Sequence, residues 1–402
     1  MKRARLLSCL AALTGCAGLI GVPDLTFDES ATPTPDGGRN GDGSASSDGS
    51  ASSDGGDASV PACDSTKLQT DAKHCGRCGH DCLGGACNAG KCESVVIKSG
   101  LENPVDLTVD GASVYVTSSG NGAVLRIAKD GSKTDVLASG HTKARGVTLD
   151  GQTLYWSNMD FAGDGGDGYW GGVWGCTLPA CTDKRLVTTG DWAANVRFSG
   201  GFLYFAENNN SAVVRVKSDG TLRTDIATPT QPFSVAVDAQ HVYFTANNGN
   251  LERVPLTGGT QEDIGPIEIG SSFGFVTVDA ERVYWAYTAD NGTGHVYSAL
   301  KATPAAPKEQ YGTANKGSIG VVVDATTLFW TNQGTFSGSA SNKDGEILAC
   351  PKAGCGGASP VVLDKSLLCP GAITVDADAI YFLTFGTQSG SADGELRRIA
   401  KP

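Results

Sequence analysis

A ten-residue phrase recurs seven times between residues 109 and 384. It reads VDGASVYVTS from Val109, LDGQTLYWSN from Leu149, FSGGFLYFAE from Phe198, VDAQHVYFTA from Val237, VDAERVYWAY from Val278, VDATTLFWTN from Val323 and VDADAIYFLT from Val375. Its second position stands at 110, 150, 199 (a serine), 238, 279, 324 and 376, at intervals of 40, 49, 39, 41, 45 and 52 residues. A unit of this length cannot bury its own hydrophobic face and must stack against copies of itself.

Each unit divides into four strands. In the first copy VDLTVD, VYVTS, AVLRIA and KTDVLA are apolar runs separated by GAS, SGNG and KDGS. Glycine in such turns supplies positive φ, and Asp bonds its own backbone. The first two strands are near-continuous apolar runs, the pattern of a sheet covered on both faces. Four strands in about 44 residues is the unit of a β-propeller blade. The reading is an all-β fold over residues 94–402: a seven-bladed β-propeller, in preference to six or eight blades. The last copy stops after its third strand, GELRRIA, while a spare strand, SVVIK at 94–98, precedes the first. Pairing the two completes the seventh blade and removes an exposed edge.

The region before the repeat holds three further segments. Lys2, Arg3 and Arg5 precede an apolar stretch, Leu6 to Leu13, and then Leu13-Thr14-Gly15-Cys16. A basic start, a short apolar core and small residues are the marks of an export signal. The last four residues resemble the lipobox of bacterial lipoproteins. That resemblance implies removal of a signal peptide, residues 1–15, lipidation of Cys16 and, with Ala17 next, an outer-membrane lipoprotein of the cell envelope. Residues 16–60 contain the lipidated Cys and a linker of Gly, Ser and Asp with almost nothing to bury. It is expected to be a disordered tether. Residues 61–93 carry Cys63, Cys75, Cys78, Cys82, Cys87 and Cys92. In an exported chain so short a Gly-rich segment needs covalent staples, so three disulfides are expected in preference to a zinc site, with their connectivity open. The CGRCGHDC phrase resembles small cysteine modules of myxobacterial surface lipoproteins. Cys176 and Cys181, and Cys350 and Cys355, bracket equivalent outer turns and are expected to form two more disulfides. Cys369 is left over and is read as a buried free thiol.

The Tyr-Trp phrasing of Tyr155-Trp156-Ser157-Asn158 and Tyr284-Trp285-Ala286-Tyr287 resembles YWTD-type propellers. The final Asp of that family is missing in every copy, so the resemblance implies the propeller class and no ligand. The recurring Asp residues precede turns and are read as turn chemistry. GSSFG, 270–274, has the spacing of a nucleophile elbow, but that motif needs a strand entering a helix, so Ser272 is not taken as catalytic. No catalytic residue is assigned.

The a–b turns are all read as three residues, whereas the b–c loops vary. They share a face with the d–a connections, and function favours varied loops on a rigid scaffold. In the long loop of blade two, Asp160, Asp164, Asp167, Tyr169 and Trp170 combine carboxylates with aromatics. Ca²⁺ is the one cofactor this set suggests. Arg145, Trp192, Asn195, Phe233 and Phe275 are placed by the repeat near the channel mouth. A formal charge of −12 argues against a nucleic-acid partner. The function expected is non-catalytic: a membrane-anchored propeller whose loop face binds a protein or glycan. A propeller enzyme, of the metal-dependent lactonase or streptogramin-lyase kind, would need ligands at the inner-strand starts, where Asp106, Asn195 and Ser234 stand. A structural envelope role is the third reading.

Overall fold

The computed structural model describes residues 63–141, 143–160, 171–267, 272–312, 315–337, 340–388 and 390–402, with Ser272 and Phe273 through their backbone alone. The expected signal peptide, lipidated Cys16 and tether lie outside the described residues.

Seven antiparallel sheets of four or five strands surround one axis. Their innermost strands are Pro104–Val109, Ala144–Asp150, Ala193–Ser199, Val235–Val237, Ser272–Val278, Ser318–Val323 and Pro370–Val375. Each packs against the next, and the seventh packs against the first, which closes the ring. The seventh blade is completed by Val95–Leu101, which pairs with Gly394–Ala400. The strand before the first repeat thus closes on the last, as the sequence implied. Among the described residues, blade five gains a short strand, Asn315–Lys316, and blade six a hairpin of Phe336–Ser337 with Ala340–Ser341.

The second strand of each blade carries the repeated phrase and is buried almost throughout, as in Thr327–Asn332. Trp156, Trp285 and Trp330 are fully buried there. Sheets stacked face to face leave no solvent side for these strands, hence their continuous apolar character. The outermost strands face water on one side, and Val136 and Val361 are 64% and 52% exposed.

The recurring Asp organises the a–b face. Asp279 Oδ1 accepts the N–H groups of Glu281 and Arg282 at 2.8 and 2.7 Å. Its Oδ2 accepts the Tyr284 hydroxyl at 3.0 Å and Lys352 Nζ, from the next blade, at 3.0 Å. Asp238 and Asp376 repeat this set, with Tyr243 and Lys301, and with Tyr381 and Lys129. Asp324 pairs with Lys401 at 2.8 Å, its Tyr position being Phe329. Turn, core and neighbouring blade are therefore tied through one carboxylate. Burial raises these four carboxyls, but the backbone N–H and lysine contacts together outweigh it and hold each below the ordinary range. Blades two and three differ. Pairing continues to Asp150–Thr153 and Ser199–Phe202, leaving two-residue turns where three were expected.

The cysteine segment forms three disulfides: Cys63–Cys78, Cys75–Cys87 and Cys82–Cys92. It packs on the end of blade seven, where Ala400 joins the buried cysteines and His80 contacts the Lys401 carbonyl at 2.8 Å. Cys176–Cys181 and Cys350–Cys355 close the two outer turns. Cys369 is fully buried but disulfide-bonded, which corrects the free-thiol expectation.

Candidate functional site

The axis was the place to look for enzyme chemistry, and its polar groups join blades. The innermost strand carries a bulge near its start in blades one, two, three, five, six and seven, for example between Pro104 and Asp106 and between Ser318 and Val321. A bulge leaves a backbone N–H out of the ladder. A hydroxyl on the second strand accepts it: Ser157 from Gly146 at 2.9 Å, Thr331 from Gly320 at 2.9 Å, Thr117 from Asp106 at 3.2 Å. Thr117 and Thr331 then donate to the Arg145 and Gly371 carbonyls of the next blade.

The adjacent side chains continue the linkage. Asp106 Oδ2 accepts Val147 N–H at 2.9 Å, Asn195 Oδ1 accepts Val235 N–H at 3.1 Å, and Ser234 Oγ accepts Val276 N–H at 3.3 Å, each on the following blade. Asp106 also meets Arg197 of blade three at 3.5 Å, both groups fully buried. Burial pushes the Asp106 carboxyl up to about 7, against the downward pull of Arg197 and of the Val147 and Leu107 N–H groups. Arg145 of blade two lies over the Phe233 ring of blade four at 5.8 Å. Burial lowers its guanidinium to about 9. Both arginines reach past an intervening blade, which is feasible only across the axis where the inner strands converge.

The loop face has its own repeating corner. Seven residues before the Asp position, the chain takes a left-handed conformation at Asn103, Lys143, Trp192, Gln231, Gly317 and Cys369. Only one of these is glycine, although left-handed backbone costs other residues about 1–2 kcal/mol. In blades one, two and three, a bond from the b–c loop holds the corner: Ser119 to Asn103, Met159 to Lys143 and Asn208 to Trp192, at 2.9–3.2 Å. The result is a rim of fixed side chains. Lys143 Nζ sits 5.2 Å over the Trp192 ring.

Sequence reasoning placed Arg145, Trp192, Asn195 and Phe233 near the channel mouth; in the structure Arg145 lies over Phe233, Trp192 lies under Lys143, and Asn195 is buried. Asn195 is an inter-blade linker. Phe275 is fully buried with Ala286 and Ile319 in the core. Asp160 is half-buried, and its carbonyl accepts the Trp192 N–H at 3.0 Å. Asp164, Asp167, Tyr169 and Trp170 lie outside the described residues. Among the described residues, the one cluster of three metal-ligating side chains is Cys75, Cys82 and Cys92, and all three are in disulfides. Lys143 and Gln231 were missed because a left-handed corner is marked in sequence by glycine, which these positions lack.

No protein-family model matches the chain, and no curated protein matches it. Among solved structures, it is similar to the WD40 β-propeller domain of Doa1, with a TM-score of 0.54 and 12% identity over 77% of this chain and 96% of that one. The computationally designed Ika8 protein gives 0.49 with 10% identity, over 75% and 98%. A chain of a nidogen/laminin complex gives 0.45 with 13% identity, over 60% and 90%. The likeness to Doa1 shows the fold alone.

Proposed function

We propose that this chain is a lipid-anchored protein of the cell envelope whose propeller binds a protein or glycan through its b–c and d–a loop face, without catalysis. The observation that carries the reading is a division of labour between the regions of the ring. The a–b turns of five blades use one Asp turn, four of them stapled to the next blade by lysine. The axis is occupied by links between blades. The opposite face varies from short turns to the added hairpin of blade six. Variation on a rigid frame is the pattern of recognition surfaces. Three disulfides in the N-terminal module support export, since such bonds persist in oxidising compartments.

Two measurements test this on the full chain. Labelled palmitate should enter the protein and be lost in Cys16→Ser. Photo-crosslinkers at Asn121 and Asn291 should capture a partner in intact cells, whereas ones at Gly111 and Asp378, on the a–b turns, should not. Capture from the a–b turns alone would reverse the assignment of the face. Turnover of a substrate abolished by one loop-face substitution would replace it with the enzyme reading.

A further inference from the structure

Resting on the binding reading, we infer that the loop face of blades three and four is a carbohydrate site for neutral, hydroxyl-rich glycans. The first observation is a segregation. Residues 94–402 contain 14 asparagines, all in the b–c and d–a loops or the strand ends beside them, and none on an a–b or c–d turn. Local turn chemistry does not require this. On the a–b turns, Asp110 Oδ1 accepts the N–H two residues on, from Ala112, at 2.8 Å. On the loop face, Asn121, Asn248 and Asn291 accept the equivalent N–H from Ala123, Asn250 and Thr293 at 3.1, 3.2 and 2.8 Å. The bond needs only an acceptor oxygen, which Asp and Asn both supply. Choosing the amide removes a charge and adds two N–H donors, one of which Asn248 gives to the buried Glu252 carboxylate.

The second observation is local. The segments 208–211, 228–234 and 246–251 contain no charged residue. They are locked together by Asn247 Nδ2 to Gln231 Oε1 at 2.9 Å, Asn208 Nδ2 to the Pro232 carbonyl at 3.2 Å, Asn247 N–H to the Thr230 carbonyl at 2.7 Å and Gln231 N–H to Ser211 Oγ at 3.3 Å. Gln231 and Ser211 are held left-handed, at φ 45° and 54°. Asn209, Asn210, Asn248 and Gln231 remain exposed on this frame. Two buried carboxylates lie beside the cluster: Glu207, occupied by Arg223 at 2.7 Å and Asn210 at 3.1 Å, and Glu252, which accepts from Asn248 Nδ2. Half-buried Trp192 and Phe233 border the cluster toward the axis.

This chemistry selects its partner. A sugar hydroxyl donates and accepts at one atom, and a primary amide offers a donor and an acceptor side by side. No charge has to be desolvated on either side. A pre-ordered frame also lowers the entropy lost on binding, which matters for a weak polar ligand. A phosphate or nucleic acid would want a cluster of cations, whereas here Arg223 is held by Glu207 and Lys143 lies over the Trp192 ring.

The test is retention of the full chain on an array of neutral oligosaccharides, for the parent and for Asn209→Asp and Gln231→Glu. These changes keep the acceptor oxygen and replace donors with charge, so the turns should stay folded, as melting curves would verify. The expected result is binding to at least one neutral glycan, weakened tenfold or more by Asn209→Asp or Gln231→Glu and unchanged by Asp378→Asn on the opposite face. Absence of glycan binding, or binding indifferent to both changes, overturns the inference. The crosslinking test separates the two failures: a protein captured from the loop face in the absence of glycan binding sinks this inference and leaves the binding reading standing, whereas neither glycan binding nor capture sinks both.

Discussion

Replacing Asp279 with alanine should destabilise the propeller by about 3 kcal/mol, whereas the same change at Asp150 should be close to neutral. At Asp279 the substitution removes the acceptor for two turn N–H groups, worth about 1 kcal/mol as in a helix cap. It leaves the buried Tyr284 hydroxyl without its acceptor, at about 1–2 kcal/mol. It also breaks the pair with Lys352, which is partly exposed and contributes up to ~1 kcal/mol. Asp150 makes none of these bonds among the described residues, because its turn is two residues long and pairing runs to Thr153. Unfolding entropy near 2 cal/mol/K per residue over roughly 300 residues converts 3 kcal/mol into a fall of about 5 °C. Differential scanning calorimetry of the oxidised chain reads it directly. Lys352→Met, which spares the turn and the Tyr284 bond, should lose only a quarter to a third as much. Equal shifts for Asp279→Ala and Asp150→Ala would refute the view that the carboxylate ties turn, core and neighbouring blade together.

Other outcomes follow from the same geometry. The Asp106 carboxyl is raised in the folded state, so its proton is retained between pH ~4 and about 7 while the unfolded chain has lost it. Stability should therefore decline as pH rises through that window, and Asp106→Asn should flatten the decline in urea titrations. The four lowered carboxyls act in the opposite sense: their contribution is complete above the ordinary Asp range and is lost as pH falls below it. Circular dichroism should then show acid unfolding shifted to higher pH when Lys352 or Lys301 is replaced by methionine, because weaker pairing raises the folded carboxyl. Reduction should open the cysteine module to proteolysis while the propeller persists, since the Cys176–Cys181 and Cys350–Cys355 disulfides close very short loops worth about 2 kcal/mol each. Deleting 94–101 exposes the Gly394–Ala400 edge, and the product should aggregate, as read by light scattering. EDTA should leave glycan retention unchanged; a loss restored by Ca²⁺ would move the site to the acidic loop of blade two.

The repeat was legible because a buried second strand must be apolar throughout, and seven copies of such a strand leave few architectures open. The Asp and the Tyr five residues on, as in Asp238 and Tyr243, could be matched by eye for the same reason: their bond is local. The lysine completing the set was not legible. It comes from the next blade, 63 residues on for Lys301, 73 for Lys352 and 247 back for Lys129, because loops of different length intervene. The loop face was identified as the candidate surface, yet its amide cluster was overlooked. Asn209, Gln231 and Asn248 are unremarkable in three separate segments, and only the stacking of blades three and four makes them neighbours.

The sequence by itself therefore determined the strand order, the blade count, the closing strand and the cysteines to be stapled, because each follows from local pattern and from the need to bury apolar faces. The tertiary structure alone decided which polar groups meet. Arg197 reads as an ordinary strand residue, and Thr117 as an ordinary hydroxyl. Curling seven sheets around one axis carries Arg197 across to Asp106 and sets Thr117 between a bulged N–H and the next blade's carbonyl. Desolvation at that axis, which no linear pattern encodes, then fixes what such groups do.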